Sequence, residues 1–383
     1  MFFRVWKGGM SYRQNLEVIL TALVARVPLY IEGAPGGGKT AAVEAVAQWL
    51  GRPLVTVVGA TRDRTDFGGW PRYHAGEDRV KLYPFPWVQA LVEAGERGIL
   101  FLDEMNANEE IFPVLLRILA ERYIGDIPFQ GDVLAAGNPE ELSVAGLVLP
   151  PPVANRVIHY RWKVLPTEWA EGMRWGFERF YRELPSLPPR EVVEVHIREA
   201  RALVAAYVER NPSVLHNPNP NRLHGPWPSP RSWELLARFV GAARALGFGE
   251  ETQALGAIGA VGEEGHGFLT FVRNLDLPTP EELLADPGRL PRREDAAYVA
   301  LMGLGAYVLD HLTPENWNRA WKVLKRAAEE GRADLAARAA EALVRGYREA
   351  DDSKRMGLML PREEVRAFRD LLQLVERMEG ARS

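Results

Sequence analysis

The sequence has no cysteine, which excludes disulfides, iron–sulfur clusters, thiolate zinc sites and thiol nucleophiles. The same absence agrees with a reducing cytoplasm, the expected location. Long apolar runs are missing too. The longest, Ala296 to Leu309, carries Gly303 and Gly305 and is too short to span a bilayer, so it reads as a buried helix. The N-terminal stretch MFFRVWKGGM has no basic segment followed by an apolar core, so no signal peptide is expected. Neither sign of charge dominates. Lys+Arg is 47 against Asp+Glu 51, a formal charge of −4, which gives no overall attraction to nucleic acid or an anionic membrane. Lysine is scarce, standing only at Lys7, Lys39, Lys81, Lys163, Lys322, Lys325 and Lys354. Internal repeats and low-complexity tracts are absent.

What remains is a globular composition: 383 residues, 47% hydrophobic and 26% charged, enough for roughly two or three domains. Residues 1–165 alternate short apolar runs with helical periodicity, the mark of an α/β unit with a mainly parallel sheet. Strands are expected at Leu29–Glu32, Leu54–Val58, Ile99–Leu102, Val133–Ala136 and Val157–Trp162, and a helix at Lys39–Leu50 stopped by Gly51. Residues 166–190 read as a Trp- and Pro-rich linker. A helical module follows over 191–276, with helices at Glu191–Glu209, Ser232–Leu246, Glu251–Val261 and Gly265–Arg273. A further helical extension occupies 277–383.

The chemistry concentrates at three strand ends. Gly33-Ala34-Pro35-Gly36-Gly37-Gly38-Lys39-Thr40 matches G-x-x-x-x-G-K-[ST] between an apolar strand and a helix. Glycines let successive backbone N–H groups turn into one cavity, and the helix N-terminus adds its positive end. Lys39 would neutralise the β- and γ-phosphates of a nucleotide, and the Thr40 hydroxyl would ligate Mg²⁺. The alternative is a glycine-rich turn opening an ordinary helix. Asp103 and Glu104 end the apolar run Ile99–Leu102, where open α/β sheets bind ligands. Asp103 would hold Mg²⁺ through water, and Glu104 would orient or deprotonate the attacking water. Taken alone, the two carboxylates read equally well as an acidic cap on the next helix. Asn138 closes a third strand, as a neutral amide able to donate to the γ-phosphate or the water, or as part of an Asn-Pro turn.

These elements, in this order, resemble the AAA+ ATPases, and the details resemble their MoxR branch. Asp103-Glu104-Met105-Asn106-Ala107, with Leu115-Leu116-Arg117-Ile118-Leu119-Ala120-Glu121-Arg122 after it, is similar to the branch's DE-x-N-x…LL-x-x-L-x-E-R pattern. Leu149 to Arg156 is similar to its LP-x-x-L-x-x-R-F segment, with Val157 where the family has Phe, and Ser229-Pro230-Arg231 to its S-P-R segment. The resemblance implies an AAA+ core over 1–165, an α-helical lid over 191–276, and a small hairpin between Arg122 and Val133. It implies ATP and Mg²⁺ as ligands, Arg156 as a finger reaching the ATP of the neighbouring subunit, and Arg231 as a sensor contacting the γ-phosphate in cis. An arginine suits both roles through its permanent charge and planar fork. A finger acting in trans implies a closed ring, a hexamer in this family. The implied activity is ATP hydrolysis that remodels, activates or inserts a cofactor into a partner protein, often one with a von Willebrand factor A domain. Two other functions stay open. A nucleic-acid motor or loader would want a basic stripe, which is not evident; a weakly hydrolysing scaffold would not need Glu104 and Arg156.

The long connection Thr61–Pro86 carries Phe67-Gly68-Gly69-Trp70 and a hairpin over Arg72–Tyr83 with its tip near Glu77. Phe67 and that tip are candidates for touching a protein client; the competing expectation packs Phe67 inside. Trp162, Trp169 and Trp175 flank the domain junction and are expected to pack there between core and lid, the alternative being that they anchor an interface. His216 and His224 lack carboxylate company and make a poor metal site.

Overall fold

The computed structural model describes residues 11–349, apart from 75, 77, 143–146, 219, 221, 222 and 276, together with residue 358. The chain divides into two compact units, one of residues 1–188 and 213–267, the other of 189–212 and 268–383.

The first unit is built on a five-stranded parallel sheet. Its strands are β1 (Leu29–Glu32), β2 (Leu54–Val58), β5 (Ile99–Asp103), β8 (Asp132–Gly137) and β9 (Ile158–Arg161). They lie in the order β2-β5-β8-β1-β9. Central strands buried on both faces are apolar, and Ile99–Leu102 and residues 133–137 are buried along their whole length. β2, at one edge, is mostly half-exposed. The register sets Glu32 beside Gly137 and Val58 beside Asp103. The loops after β1, β5 and β8 therefore leave the same edge of the sheet, with β8 between the other two.

Helix Tyr12–Ala25 opens with a reciprocal cap between Ser11 and Gln14 and closes at Arg26, a left-handed residue with φ 56°. It buries Leu16, Ile19, Leu20 and Leu23. Helix Lys39–Trp49 ends as expected, with Gly51 at φ 60°. Two hairpins interrupt the α/β alternation: β3 (Trp70–His74) with β4 (Arg79–Tyr83), and β6 (Tyr123–Ile124) with β7 (Ile127–Pro128). The second is small, in keeping with the short segment after Arg122. The tip of the first, at Glu77, lies outside the described residues. Helices Pro230–Ala245 and Glu250–Val261 complete this unit.

Residues 166–190, read from sequence as linker, contain helices Pro166–Trp175 and Glu178–Arg182. Their exposed Trp169, Met173 and Trp175 give no apolar stripe from which to read a helix.

The second unit is helical in its described part. Helix Arg190–Arg210 belongs to it and packs on Glu294–Asp310, so the 191–276 segment is shared between the two units. Pro280–Ala285, Pro314–Glu329 and Ala333–Glu349 add to a core around the fully buried Trp317 and Trp321. Among the described residues, no helix is long and apolar enough to cross a membrane.

Candidate active site

The loop from β1 to helix Lys39–Trp49 takes its shape from glycines used in two ways. Gly36 and Gly38 have φ of 75° and 83°, a backbone region costly for other residues, although a Cβ at either would meet nothing within 4 Å. Gly33 and Gly37 are needed for proximity. A Cβ on Gly33 would lie 2.8 Å from Trp162 Cβ. Trp162, at the end of β9, lies against the loop and donates from Nε1 to the Gly37 carbonyl at 2.6 Å.

Lys39 is buried, with Nζ donating to the carbonyls of Gly33 at 2.6 Å and Ala34 at 3.0 Å and to Asn138 Oδ1 at 3.4 Å. Burial lowers its pKa below the ordinary lysine value, while the charges of Asp103 and Glu104 oppose that shift. The ammonium thus lies against carbonyls of the loop, on the first residue of the helix that the loop opens, a fitting place for phosphate.

The Thr40 hydroxyl donates to Asp103 Oδ2 at 2.7 Å, and Asp103 Oδ1 accepts from the Glu104 amide at 2.9 Å. A hydroxyl and a carboxylate oxygen side by side form the hard-oxygen donor set that Mg²⁺ prefers, so the residues present fit that ion. Glu104 itself is left-handed, with φ 51°, and a Cβ on the facing Gly59 would come within 2.7 Å of the Glu104 carbonyl oxygen. Holding a glutamate in this region costs energy, and such strain gathers at functional positions.

Asn138 is held from behind by the buried Asn106. Its amide donates to Asn106 Oδ1 at 3.1 Å, while Asn106 Nδ2 donates to the carbonyls of Asn138 at 2.7 Å and Leu147 at 2.9 Å. A Cβ on Gly137 would lie 2.4 Å from Asn106 Oδ1, so that glycine admits the clamp. Lys39, Thr40, Asp103, Glu104 and Asn138 therefore form one constellation at the sheet edge.

Arg156 and Arg231 are linked through their neighbours, for Asn155 Oδ1 accepts from the Ser229 hydroxyl at 2.7 Å. Burial, and after it the charge of Arg231, lowers the Arg156 pKa. Arg156 donates from Nη1 to the Pro152 carbonyl at 2.6 Å, and its Nε is buried without a partner among the described residues. The residue expected to act in cis is thus tied, through Ser229 and Asn155, to the turn of the one expected to act in trans. Val157, in place of phenylalanine, is buried.

Sequence reasoning missed an aromatic cavity of about 570 Å³ on the outer side of the glycine loop. Tyr12, Trp169, Phe177 and Tyr181 line it together with Gly36–Gly38 and Ala41. The only sequence signal was the Trp-rich composition of 167–181. Trp169 and Trp175 are 53% and 72% exposed, which corrects the expectation that they pack inside; Trp162 does pack. Phe67 is 2% exposed and meets Trp87 edge-on at 5.6 Å, so it is a core residue and not a free contact for a client. His224 Nδ1 lies 2.9 Å from the Leu149 carbonyl oxygen, and no group of three His, Asp or Glu able to hold a metal occurs among the described residues.

Three likenesses to known proteins bear on the chain. Residues 28–152 match the model of the AAA domain, dynein-related subfamily. Over 120 residues the chain is 32% identical to the protein MoxR of Methylorubrum extorquens AM1, a match covering 31% of this chain and 34% of that protein. A solved structure from Cytophaga hutchinsonii, provisionally named an ATPase, covers 71% of this chain and 92% of its own, with 18% identity and a TM-score of 0.40.

Proposed function

We propose that this chain, which carries a MoxR-like AAA+ domain of the dynein-related kind, hydrolyses ATP with Mg²⁺ and uses the energy to remodel or activate a partner protein. The Thr40–Asp103 contact at 2.7 Å beside the buried Lys39 carries the proposal. It joins a phosphate cradle to a hard-cation donor pair at one point.

In this reading the loop amides and Lys39 bind the β- and γ-phosphates. Mg²⁺, held by Thr40 and through water by Asp103, would neutralise phosphate charge. Glu104 orients the attacking water and accepts its proton, and Asn138, steadied by Asn106, donates to the γ-phosphate without adding charge. The aromatic cavity takes the base by stacking. Arg156 and Arg231, linked through Asn155 and Ser229, serve the ATP of a neighbouring copy together, which moves Arg231 from the cis role that the resemblance implies, so the active unit is a ring, by family resemblance a hexamer. A von Willebrand factor A domain protein is the proposed class of client, and the cytoplasm the proposed compartment.

A multiple-turnover phosphate assay with nucleotide binding tests this. Lys39→Ala should lose nucleotide affinity. Glu104→Gln should bind ATP as the wild type does yet turn over at least about a hundredfold more slowly. Wild-type turnover in Glu104→Gln would remove the assigned base and with it the hydrolytic reading.

A further inference from the structure

We infer that Asn155 is a positioning residue that locks Arg156 and Arg231 into a single anion-binding fork. The inference rests on the reading of those arginines as completing a neighbour's ATP site. Asn155 immediately precedes Arg156 in the chain and is 5% exposed. Its side-chain amide is used at both ends: Oδ1 accepts from the Ser229 hydroxyl at 2.7 Å, and Nδ2 donates to the Trp227 carbonyl at 3.2 Å. The residue thus ties its own turn to the segment leading into Arg231. Aspartate would keep the acceptor and lose the donor, and alanine would lose both.

The tie reaches a rigid base. Ser229 is 4% exposed and caps helix Pro230–Ala245, accepting from the Ser232 amide at 3.1 Å while Ser232 Oγ accepts from the Ser229 amide at 2.8 Å. Arg231 stands in the first turn of that helix.

Stability alone gives no reason for this arrangement. The first turn of the helix holds no acidic residue, and a cation there opposes the helix dipole. Arg156 follows Asn155 directly, so the Asn155–Ser229 bond brings its turn to the start of that helix, and the charge of Arg231 adds to burial in lowering the Arg156 pKa. Like charges repel, and an anion bound between the two arginines relieves both costs at once. A transferring γ-phosphoryl group supplies that anion, and two guanidinium planes match its oxygens only if their separation is held. The Asn155–Ser229 bond holds it. Misplacement by about an ångström costs on the order of a hundredfold in rate.

The test compares wild type with Asn155→Ala, Ser229→Thr and Arg156→Ala, measuring kcat, KM and nucleotide dissociation constants. Each is also mixed with Lys39→Ala, which keeps both arginines but lacks its own nucleotide site. Asn155→Ala should lose about a hundredfold in kcat with nucleotide affinity unchanged, and Ser229→Thr, which retains the hydroxyl, should stay near wild type. Mixing Asn155→Ala with Lys39→Ala should recover activity, because the intact fork of one subunit then serves the intact nucleotide site of the other. A variant that had merely misfolded would show no such recovery. Wild-type kcat in Asn155→Ala, or a loss that mixing does not restore, would overturn the assignment. If instead Arg156→Ala turned over like wild type, the underlying reading of a finger in trans would fall, and the fork with it.

Discussion

At Lys39 two influences oppose one another. Burial favours the neutral amine, and the carboxylates of Asp103 and Glu104 favour the ammonium. The same carboxylates are those proposed to hold the metal and the water, so groups assigned to the chemistry also oppose the loss of the lysine's charge. His159 shows the unopposed case. Its ring meets Tyr30 edge-on at 5.9 Å, and Nε2 lies 2.9 Å from the Ala154 carbonyl oxygen. Burial, with a smaller push from Arg161, takes its pKa from 6.5 down to about 4, against the opposing hydrogen bond to Ala154. The folded pKa lies below the unfolded one, so on acidification the unfolded chain takes the proton first. His159 therefore contributes stability that is fully present above pH 6.5 and is lost as the pH falls towards about 4. The slope across that window reaches about 1.4 kcal/mol per pH unit. Denaturant titrations between pH 4.5 and 7 should show a flatter slope in His159→Gln than in wild type; equal slopes would assign the acid lability to other groups. At this scale the sequence was most legible where spacing is local. The Lys39–Thr40 and Asp103–Glu104 pairs stand out by motif, whereas the clamp of Asn106 on Asn138 joins residues 32 apart and is seen only once the strands are paired.

Among the elements, the parallel strands were readable because burial on both faces makes them continuously apolar, as in Ile99–Leu102. Helix Pro166–Trp175 was not, because its large apolar residues face outward and leave no stripe. That outward face fits the proposed base site. Trp169 lines the cavity beside the glycine loop while remaining 53% exposed, the posture of a ring awaiting a base. Stacking of a base on an aromatic ring is worth about 1–3 kcal/mol. Trp169→Ala should therefore weaken ATP binding about tenfold or more and leave kcat at saturation nearly unchanged. Fluorescence of the wild type should change on adding nucleotide. Unaltered affinity in Trp169→Ala would move the base elsewhere. The helix pairing in the second unit escaped reading for a different reason: Arg190–Arg210 finds its partner Glu294–Asp310 across most of another module, and local periodicity carries no record of which face meets which.

For the molecule as a whole, the proposed function divides the groups that it needs for hydrolysis into two sets. In that reading Lys39, Thr40, Asp103, Glu104 and Asn138 bind and orient ATP within one chain, and the guanidinium groups of Arg156 and Arg231 come from a neighbour. If each site is completed by a neighbour, binding belongs to the single chain and turnover to the assembly. Specific activity should then fall as the protein is diluted below the concentration at which copies associate, while nucleotide affinity stays constant. Finger arginines are worth on the order of a thousandfold in rate, so the dissociated chain should be nearly inactive. Arg156→Ala should be slow at every concentration, because association no longer supplies the missing charge. Phosphate release and molecular mass measured over the same dilution series check this: the activity midpoint should coincide with the change in mass. Constant activity per chain down to a fully monomeric sample would mean that one chain hydrolyses ATP unaided. Arg156 and Arg231 would then have to serve some anion other than a neighbour's phosphate.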